Sequence, residues 1–228
     1  MAIRSLDGVA IHIVEQWDRL AAGWLVHFAS GGGHVAVSGG STPARAYEMA
    51  AALLPDWSRS HLWFCDDRVV PPDDERSNYR LLQETLLVRL ESEPQVHRIH
   101  GELEPEEAAA QYDEELRDVT LDLALMGIGP DGHTASLFPN APALDERKRR
   151  AVAAEPGLEP FVPRVTLTPP VFASTGLLVY LATSEGKAGA VRRAFAEEPS
   201  PATPASLMRG RETIAILDAA AASQLPQG

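Results

Sequence analysis

The chain has 228 residues, with 45% hydrophobic and 23% charged side chains. That is the make-up of a soluble globular protein, long enough to bury one large core. Lys and Arg total 20 against 32 Asp and Glu, a formal net charge of −12, which excludes a general attraction for nucleic acid or anionic membrane because such partners need a basic face.

In chain order, short apolar runs alternate with longer segments of helical period, the signature of a mostly parallel α/β sheet. Strands are predicted at 10–14 and 34–38. A helix follows at 43–54, with Thr42 as N-cap and Pro43 at the first helical position, where its missing N–H costs nothing. A strand at 61–65 comes next, then a helix at 78–90 capped by Ser77. The segment 104–118 starts with acidic residues, as a helix dipole favours. Further strands are expected at 121–126, 151–154, 176–183 and 213–217, and Ser184 caps a helix running to about residue 197. Pro-rich stretches at 155–163 and 199–204 read as loops, too short to join separate domains. One domain over residues 1–228 is the expected organisation.

No apolar stretch is long enough to span a membrane. Asp7 and Glu15 interrupt what would be the core of a signal peptide, so the expected location is cytoplasmic. The single cysteine, Cys65, excludes an internal disulfide framework and a cysteine-based zinc site, and it reads as a small core residue. There is no His-x-x-His spacing to support a metal. Of the seven histidines, His12, His27, His34, His61, His97 and His100 lie in settings that read as structural.

Ligands of open α/β sheets sit beyond the carboxyl ends of the strands, so the loops that follow strands carry the functional information. Ser38-Gly39-Gly40-Ser41-Thr42-Pro43 leads from a strand into a helix. Its glycines allow close backbone approach, and the helix N-terminus with two hydroxyls makes an anion cradle, most simply for phosphate. An ordinary tight turn fits the same residues. The stretch is neither a Walker loop nor a Gly-x-Ser-x-Gly elbow. Cys65-Asp66-Asp67-Arg68 puts two carboxylates and a guanidinium at a strand end, either as a solvated charged loop or as groups used on a ligand.

The third loop, Met126-Gly127-Ile128-Gly129-Pro130-Asp131-Gly132-His133-Thr134, contains Gly-x-Gly-x-x-Gly. A dinucleotide site is rejected because Pro130 lies where N–H groups should face a pyrophosphate and because the loop comes late in the chain. A histidine beside Asp131 suits a general base, since an unperturbed imidazole titrates near 6.5. A structural hydrogen-bonding role is the alternative. The fourth feature is a pair of cations, Arg164 and Lys187. Lys187 falls in the expected first turn of a helix, where a cation opposes the dipole unless an anion is near.

Together these loops resemble the 6-phosphogluconolactonase family. The resemblance runs from about Val35 to Asp218 and rests on Ser38 to Pro43, Trp63-Phe64-Cys65-Asp66-Asp67-Arg68, Ser77-Asn78-Tyr79 and Gly127-Ile128-Gly129-Pro130-Asp131-Gly132-His133-Thr134-Ala135-Ser136-Leu137-Phe138-Pro139. It continues through Arg164-Val165-Thr166-Leu167 and Gly186-Lys187-Ala188. The family's Asp-Glu-Arg stands here as Asp66-Asp67-Arg68, with the middle side chain shortened. A literal Asp74-Glu75-Arg76 follows in a Pro-rich loop and reads as a decoy.

The resemblance implies a single-domain, Rossmann-like three-layer sandwich and a cofactor-independent hydrolase acting on 6-phospho-D-glucono-1,5-lactone. It also implies catalytic roles for His133, Asp66, Arg68 and Asp131. Gly39, Gly40, Ser41, Thr42, Arg164 and Lys187 would hold the substrate and its phosphate. The implied partner is the small sugar-phosphate lactone, with no nucleic acid and no membrane, while the oligomeric state, monomer or weak dimer, is not legible in the sequence. A glucosamine-6-phosphate deaminase is the nearest rival, but Ser136-Leu137-Phe138-Pro139 stands where that relative carries Asn-Glu-Pro. A sugar-phosphate sensor is a third reading. It would need a basic DNA-binding segment, which residues 1–30 do not offer.

Overall fold

A strand buried on both faces reads as a continuous apolar run, because helices cover both sides of a parallel sheet. The six residues Leu177–Ala182 are of this kind, every one buried. A computed structural model describes residues 2–226. In chain order its elements are β1 (Ala2–Leu6), β2 (Val9–Ile13), α1 (Trp17–Ser30), β3 (His34–Val37), α2 (Ser41–Leu53), β4 (His61–Phe64), β5 (Asp66–Arg68) and α3 (Asn78–Thr85). They continue with β6 (Gln95–Val96), α4 (Pro105–Glu115), β7 (Leu123–Gly127), β8 (Ala151–Ala154), β9 (Arg164–Leu167), α5 (Pro169–Ser174), β10 (Leu177–Ala182), α6 (Ala188–Phe195) and β11 (Glu212–Leu217).

Eight strands form one sheet in the order β1-β2-β11-β10-β7-β3-β4-β6. All its pairings are parallel except the β1–β2 hairpin. A second sheet, β5-β9-β8, is antiparallel. The layering follows from the alternation of side chains along β4. Trp63 faces Tyr112 of α4 (ring centroids 6.0 Å apart), whereas Phe64 faces Tyr79 beside the start of α3 (6.1 Å). Helix α3 packs on α2 and α2 on α1, so these three helices cover one face and α4 the other. The expected three-layer α/β sandwich with a mostly parallel sheet is what forms.

The order of the strands also locates the site. From β3 the chain steps outward through β4 to β6, then returns to lay β7 on the other side of β3. Loops leaving the carboxyl ends of β3 and β7 therefore diverge, opening the crevice that doubly wound sheets use for ligands. Two buried tyrosines pin the strand ends beside it. Tyr47 of α2 donates to Ser38 O (2.7 Å) and accepts from Ser38 N (3.1 Å). Tyr112 of α4 does the same at Phe64 (2.9 and 2.8 Å). Each such bond contributes about 1 kcal/mol net, and each fixes the residue from which a functional loop departs.

Several expectations need correction. Helix α2 begins at Ser41 with Gly40 as N-cap, so Thr42 is not the cap. Gly40 turns the chain at φ +114°, which leaves Thr42 inside the first turn with its hydroxyl against Thr183 (3.1 Å). Ser77 does cap α3, accepting from Arg80 N at 3.3 Å, but the α-helix stops at Thr85 and a 3-10 turn follows at Leu87–Arg89. Ser184 stands at the N-cap position of the turn that leads into α6, but its side chain makes no capping hydrogen bond. It sits at φ +80° with its N–H on Asp218 Oδ2 (2.9 Å), and a 3-10 turn, Glu185–Lys187, precedes α6. Lys187 is thus the residue before α6 rather than part of its first turn.

Other elements of the fold are absent from the predicted order. The β1–β2 hairpin turns at Asp7-Gly8, both at positive φ, a signal for a tight hairpin. Helix α1 has no side-chain cap at Gln16 to announce it. Strands β5 and β9 carry charged residues that periodicity does not count as strand-forming, and they exist because they pair with each other.

Candidate active site

The loops after β3, β4, β7 and β10 meet in one cleft of about 280 Å³. Its lining includes Gly39, Gly40, Ser41 and Thr42 from the first loop, Asp66 and Arg68 from β5, His133 from the third loop, and Arg164 and Lys187. Nine of the ten residues expected at the site therefore lie on one surface, and the tenth, Asp131, touches it through His133.

After β7 the chain makes a tight turn instead of a helix, with Gly132 N bonded to Gly129 O (2.9 Å) and Gly129 N to His133 O (2.8 Å). That removes the helix N-terminus a dinucleotide would require and leaves the imidazole over Gly129, where a Cβ would overlap its ring. Asp131 Oδ1 holds His133 Nδ1 at 2.6 Å and accepts from the His133 backbone N–H at 3.1 Å. This pairing leaves the second ring nitrogen, Nε2, without a hydrogen-bond partner among the described residues, and His133 lines the cleft. Phe138 packs against the same ring, centroids 5.0 Å apart. Burial works to raise the Asp131 carboxyl, but the hydrogen bond and charge of His133 outweigh it and hold it below the ordinary carboxylate range.

Asp66 Oδ2 accepts from Ser136 Oγ at 2.6 Å. Arg68 donates through Nη1 to Arg76 O (3.0 Å) and to Asn78 Oδ1, while its buried Nε has no protein partner. Arg164 is 5% exposed, lies over the Phe138 ring (5.7 Å) and bonds the carbonyls of Leu158 and Pro160 through Nη2. Its Nε is also buried without a partner. Burial and then the neighbouring Arg68 charge lower the Arg164 guanidinium, and burial lowers the Lys187 ammonium against the pull of Asp131. Three cations held close in a partly desolvated cleft, with guanidinium N–H groups unpaired, are arranged for an anion.

The first turn of α2 points at the same space and has no acidic residue to neutralise its dipole. Asp67, in contrast, faces away from the cleft. It accepts from the backbone N–H groups of Arg68, Asn78 and Tyr79, and burial pushes it up to about 6 against their pull. The second Asp-Glu-Arg is a surface feature, with Arg76 paired to Asp74 at 2.6 Å. Cys65 is fully buried, and burial pushes its thiol up to about 12, which makes it inert core. Among the described residues, no group of His, Cys, Asp and Glu is placed to hold a metal, and no helix is long and apolar enough to cross a membrane.

Sequence reasoning passed over Asn78, Ser136 and Thr183. Asn78 and Ser136 stand inside motifs already singled out, and Thr183 directly follows β10, so their positions were the available signal.

A doubly wound sheet with a glycine loop and an Asp-Gly-His loop at its switch point has close counterparts. The family model described as glucosamine-6-phosphate isomerases/6-phosphogluconolactonase matches residues 11–216, and the chain belongs to that enzyme family. Within it, the human 6-phosphogluconolactonase is 38% identical over 199 residues, covering 82% of this chain and 76% of the human protein. The Haemophilus influenzae 6-phosphogluconolactonase is 36% identical over 164 residues, 68% of this chain and 70% of that one. The solved Thermotoga maritima 6-phosphogluconolactonase superposes with TM-score 0.82 at 28% identity, covering 91% of this chain and 98% of its own. A monomeric glucosamine-6-phosphate deaminase, 18% identical with TM-score 0.82 over 95% of this chain and 99% of its own, shares the fold.

Proposed function

We propose that the protein hydrolyses 6-phospho-D-glucono-1,5-lactone to 6-phospho-D-gluconate, with His133 as general base, the step of the pentose phosphate pathway its relatives are named for. The observation that carries the reading is the Asp131–His133 pair, bonded through Nδ1, on the lining of a cleft that also holds a helix N-terminus and three cations. The 6-phosphate would lie against Gly39 to Thr42, neutralised by Arg164 and Lys187.

Nε2 of His133 removes a proton from a water, and the water oxygen bonds to the lactone carbonyl carbon. The carbonyl electron pair moves onto oxygen, and that oxyanion is stabilised by backbone N–H groups of the glycine loops and by Arg68, an effect of about 10²–10³-fold per donor. Collapse breaks the bond to the ring oxygen, which takes the proton back from His133 and leaves as a hydroxyl. General-base and general-acid help of this kind contributes roughly 10²–10⁴-fold. Asp131 holds the imidazole in the tautomer with its proton on Nδ1 and steadies the imidazolium that forms. Asp66, fixed by Ser136, orients the attacking water or a ring hydroxyl.

The test is hydrolysis of freshly generated 6-phosphogluconolactone, read as 6-phosphogluconate through a coupled dehydrogenase, beside unphosphorylated gluconolactone and with EDTA present and absent. The expected result is fast, phosphate-dependent turnover that EDTA does not change. A rate no higher than spontaneous hydrolysis rejects the reading, and glucosamine-6-phosphate deamination is then the next assay.

A further inference from the structure

Asp66 and Arg68 are neighbours on one short strand, yet their side chains must stay apart in the cleft rather than collapse into an ion pair. Asn78, the first residue of α3 and 3% exposed, lies between them. Its Nδ2 donates to the Asp66 carbonyl at 2.8 Å and reaches Asp66 Oδ1 at 3.4 Å, while its Oδ1 accepts from Arg68 Nη1. A Cβ on Gly39 would overlap Asn78 Oδ1, so the glycine loop rests directly on this amide. One side chain thus touches Asp66, Arg68 and the glycine loop.

Asn78 is itself anchored. The Asp67 carboxylate accepts from the backbone N–H of Asn78 (2.7 Å) and Tyr79 (3.1 Å), from Ser77 Oγ (3.2 Å) and from Arg68 N (2.7 Å). A buried carboxylate thereby ties the first turn of α3 to β5. The shortened side chain at position 67 is a tether for the helix that carries Asn78.

We propose that Asn78 is a positioning residue: its amide aims the Arg68 guanidinium into the cleft and keeps it apart from Asp66, with Asp67 holding Asn78 in place through α3. The chemistry requires an amide, because the position must accept from a guanidinium on one side and donate to a carbonyl and a carboxylate on the other. The catalytic consequence rests on the lactone reading above, whereas the orientation of Arg68 does not.

The experiment compares the wild type with Asn78→Ala and Asn78→Asp. It measures kcat and KM on the lactone, the affinity for 6-phosphogluconate, and the Arg68 Nε–H NMR signal, assigned by its loss in Arg68→Lys. Asn78→Ala is expected to lower kcat about 10–100-fold, the scale of a misplaced catalytic group, with KM changed less than about threefold and the Arg68 signal broadened. Asn78→Asp should restore the signal, since a carboxylate still accepts from Arg68, without restoring kcat, since it cannot donate to Asp66. A folded Asn78→Ala with unchanged kcat and an unchanged Arg68 signal overturns the proposal. If Asn78→Ala does not fold, Asn78→Ser, which keeps a small polar side chain too short to bridge both partners, carries the same comparison. If the wild type does not turn over the lactone, that reading fails, and the Arg68 signal alone decides the positioning role.

Discussion

The two ends of the parallel sheet both gather histidines and carboxylates, and they use them in opposite ways. At the carboxyl end, His133 bonds Asp131 through Nδ1 and lines the cleft. At the amino end, His34 and His61 begin adjacent strands and stack at 4.3 Å, and His97 stacks on Trp63 at 3.8 Å. Every one of those rings is engaged: Trp63 Nε1 donates to His34 Nδ1 (3.0 Å), and His61 Nδ1 and His97 Nε2 share a hydrogen bond (3.1 Å). Glu115 stands 3.6 Å from His97 Nδ1, and Asp122 is occupied by the His34 backbone N–H. What separates the two sets is therefore the setting of the rings, since His133 lines a cleft shared with Arg68, Arg164 and Lys187 whereas the others stack on one another and on Trp63.

The sharpest way to break this contrast is to remove the reactive ring. His133→Ala should lower kcat about 10²–10⁴-fold while leaving 6-phosphogluconate affinity and the melting temperature nearly unchanged. A near-wild-type rate in the folded variant would end the base assignment. Asp131→Asn keeps the shape but gives His133 Nδ1 an ambiguous partner, so kcat should fall about 10–100-fold with KM almost constant, the scale of a misplaced catalytic group. An unchanged pH–rate profile in that variant would argue against its role.

Lys187→Met tests the anion end of the same cleft. Losing one charge-assisted bond, about 1.5–3 kcal/mol, should raise KM for the phosphorylated lactone roughly tenfold or more and spare the unphosphorylated one. Equal effects on both substrates would move the phosphate away from Lys187.

The amino end offers the smallest effect, seen in stability alone. Burial, followed by the charge of His61, lowers His34, and burial lowers His97 against the pull of Glu115. Groups kept neutral in the fold bind fewer protons there than in the unfolded chain. Their contribution is fully present above the unfolded histidine value of about 6.5 and is lost as pH falls below it toward the lowered folded values. Melting temperature should drop by a few degrees between pH 7 and pH 5, and His34→Gln, whose carbonyl can still accept from Trp63, should flatten that drop. Identical pH dependence in the variant would remove His34 from the account.

Much of this site was legible because its chemistry is local. Gly39 to Thr42, the Asp131-Gly132-His133 turn and the Asp66–Arg68 strand each need particular residue types within a few positions, so they announce themselves as loops after strands. The fold class was legible for a similar reason, since burial on both faces imposes continuous apolar runs such as Leu177–Ala182. Segments whose structure depends on a distant partner were not. Strands β5 and β9 pair across about a hundred residues of chain, so although the charges of β5 mark it as functional, nothing local marks either as a strand.

The amino-acid sequence by itself determined the α/β class, the family and nearly every residue type facing the cleft, because turns, caps and periodicity act over a few neighbours. Only the tertiary structure decided that Thr42 meets Thr183, that Asp67 turns away to hold α3, and that Asn78 stands between Asp66 and Arg68. Those contacts join residues from different loops, and their geometry is set by how the strands are ordered around the switch point, which no local pattern encodes.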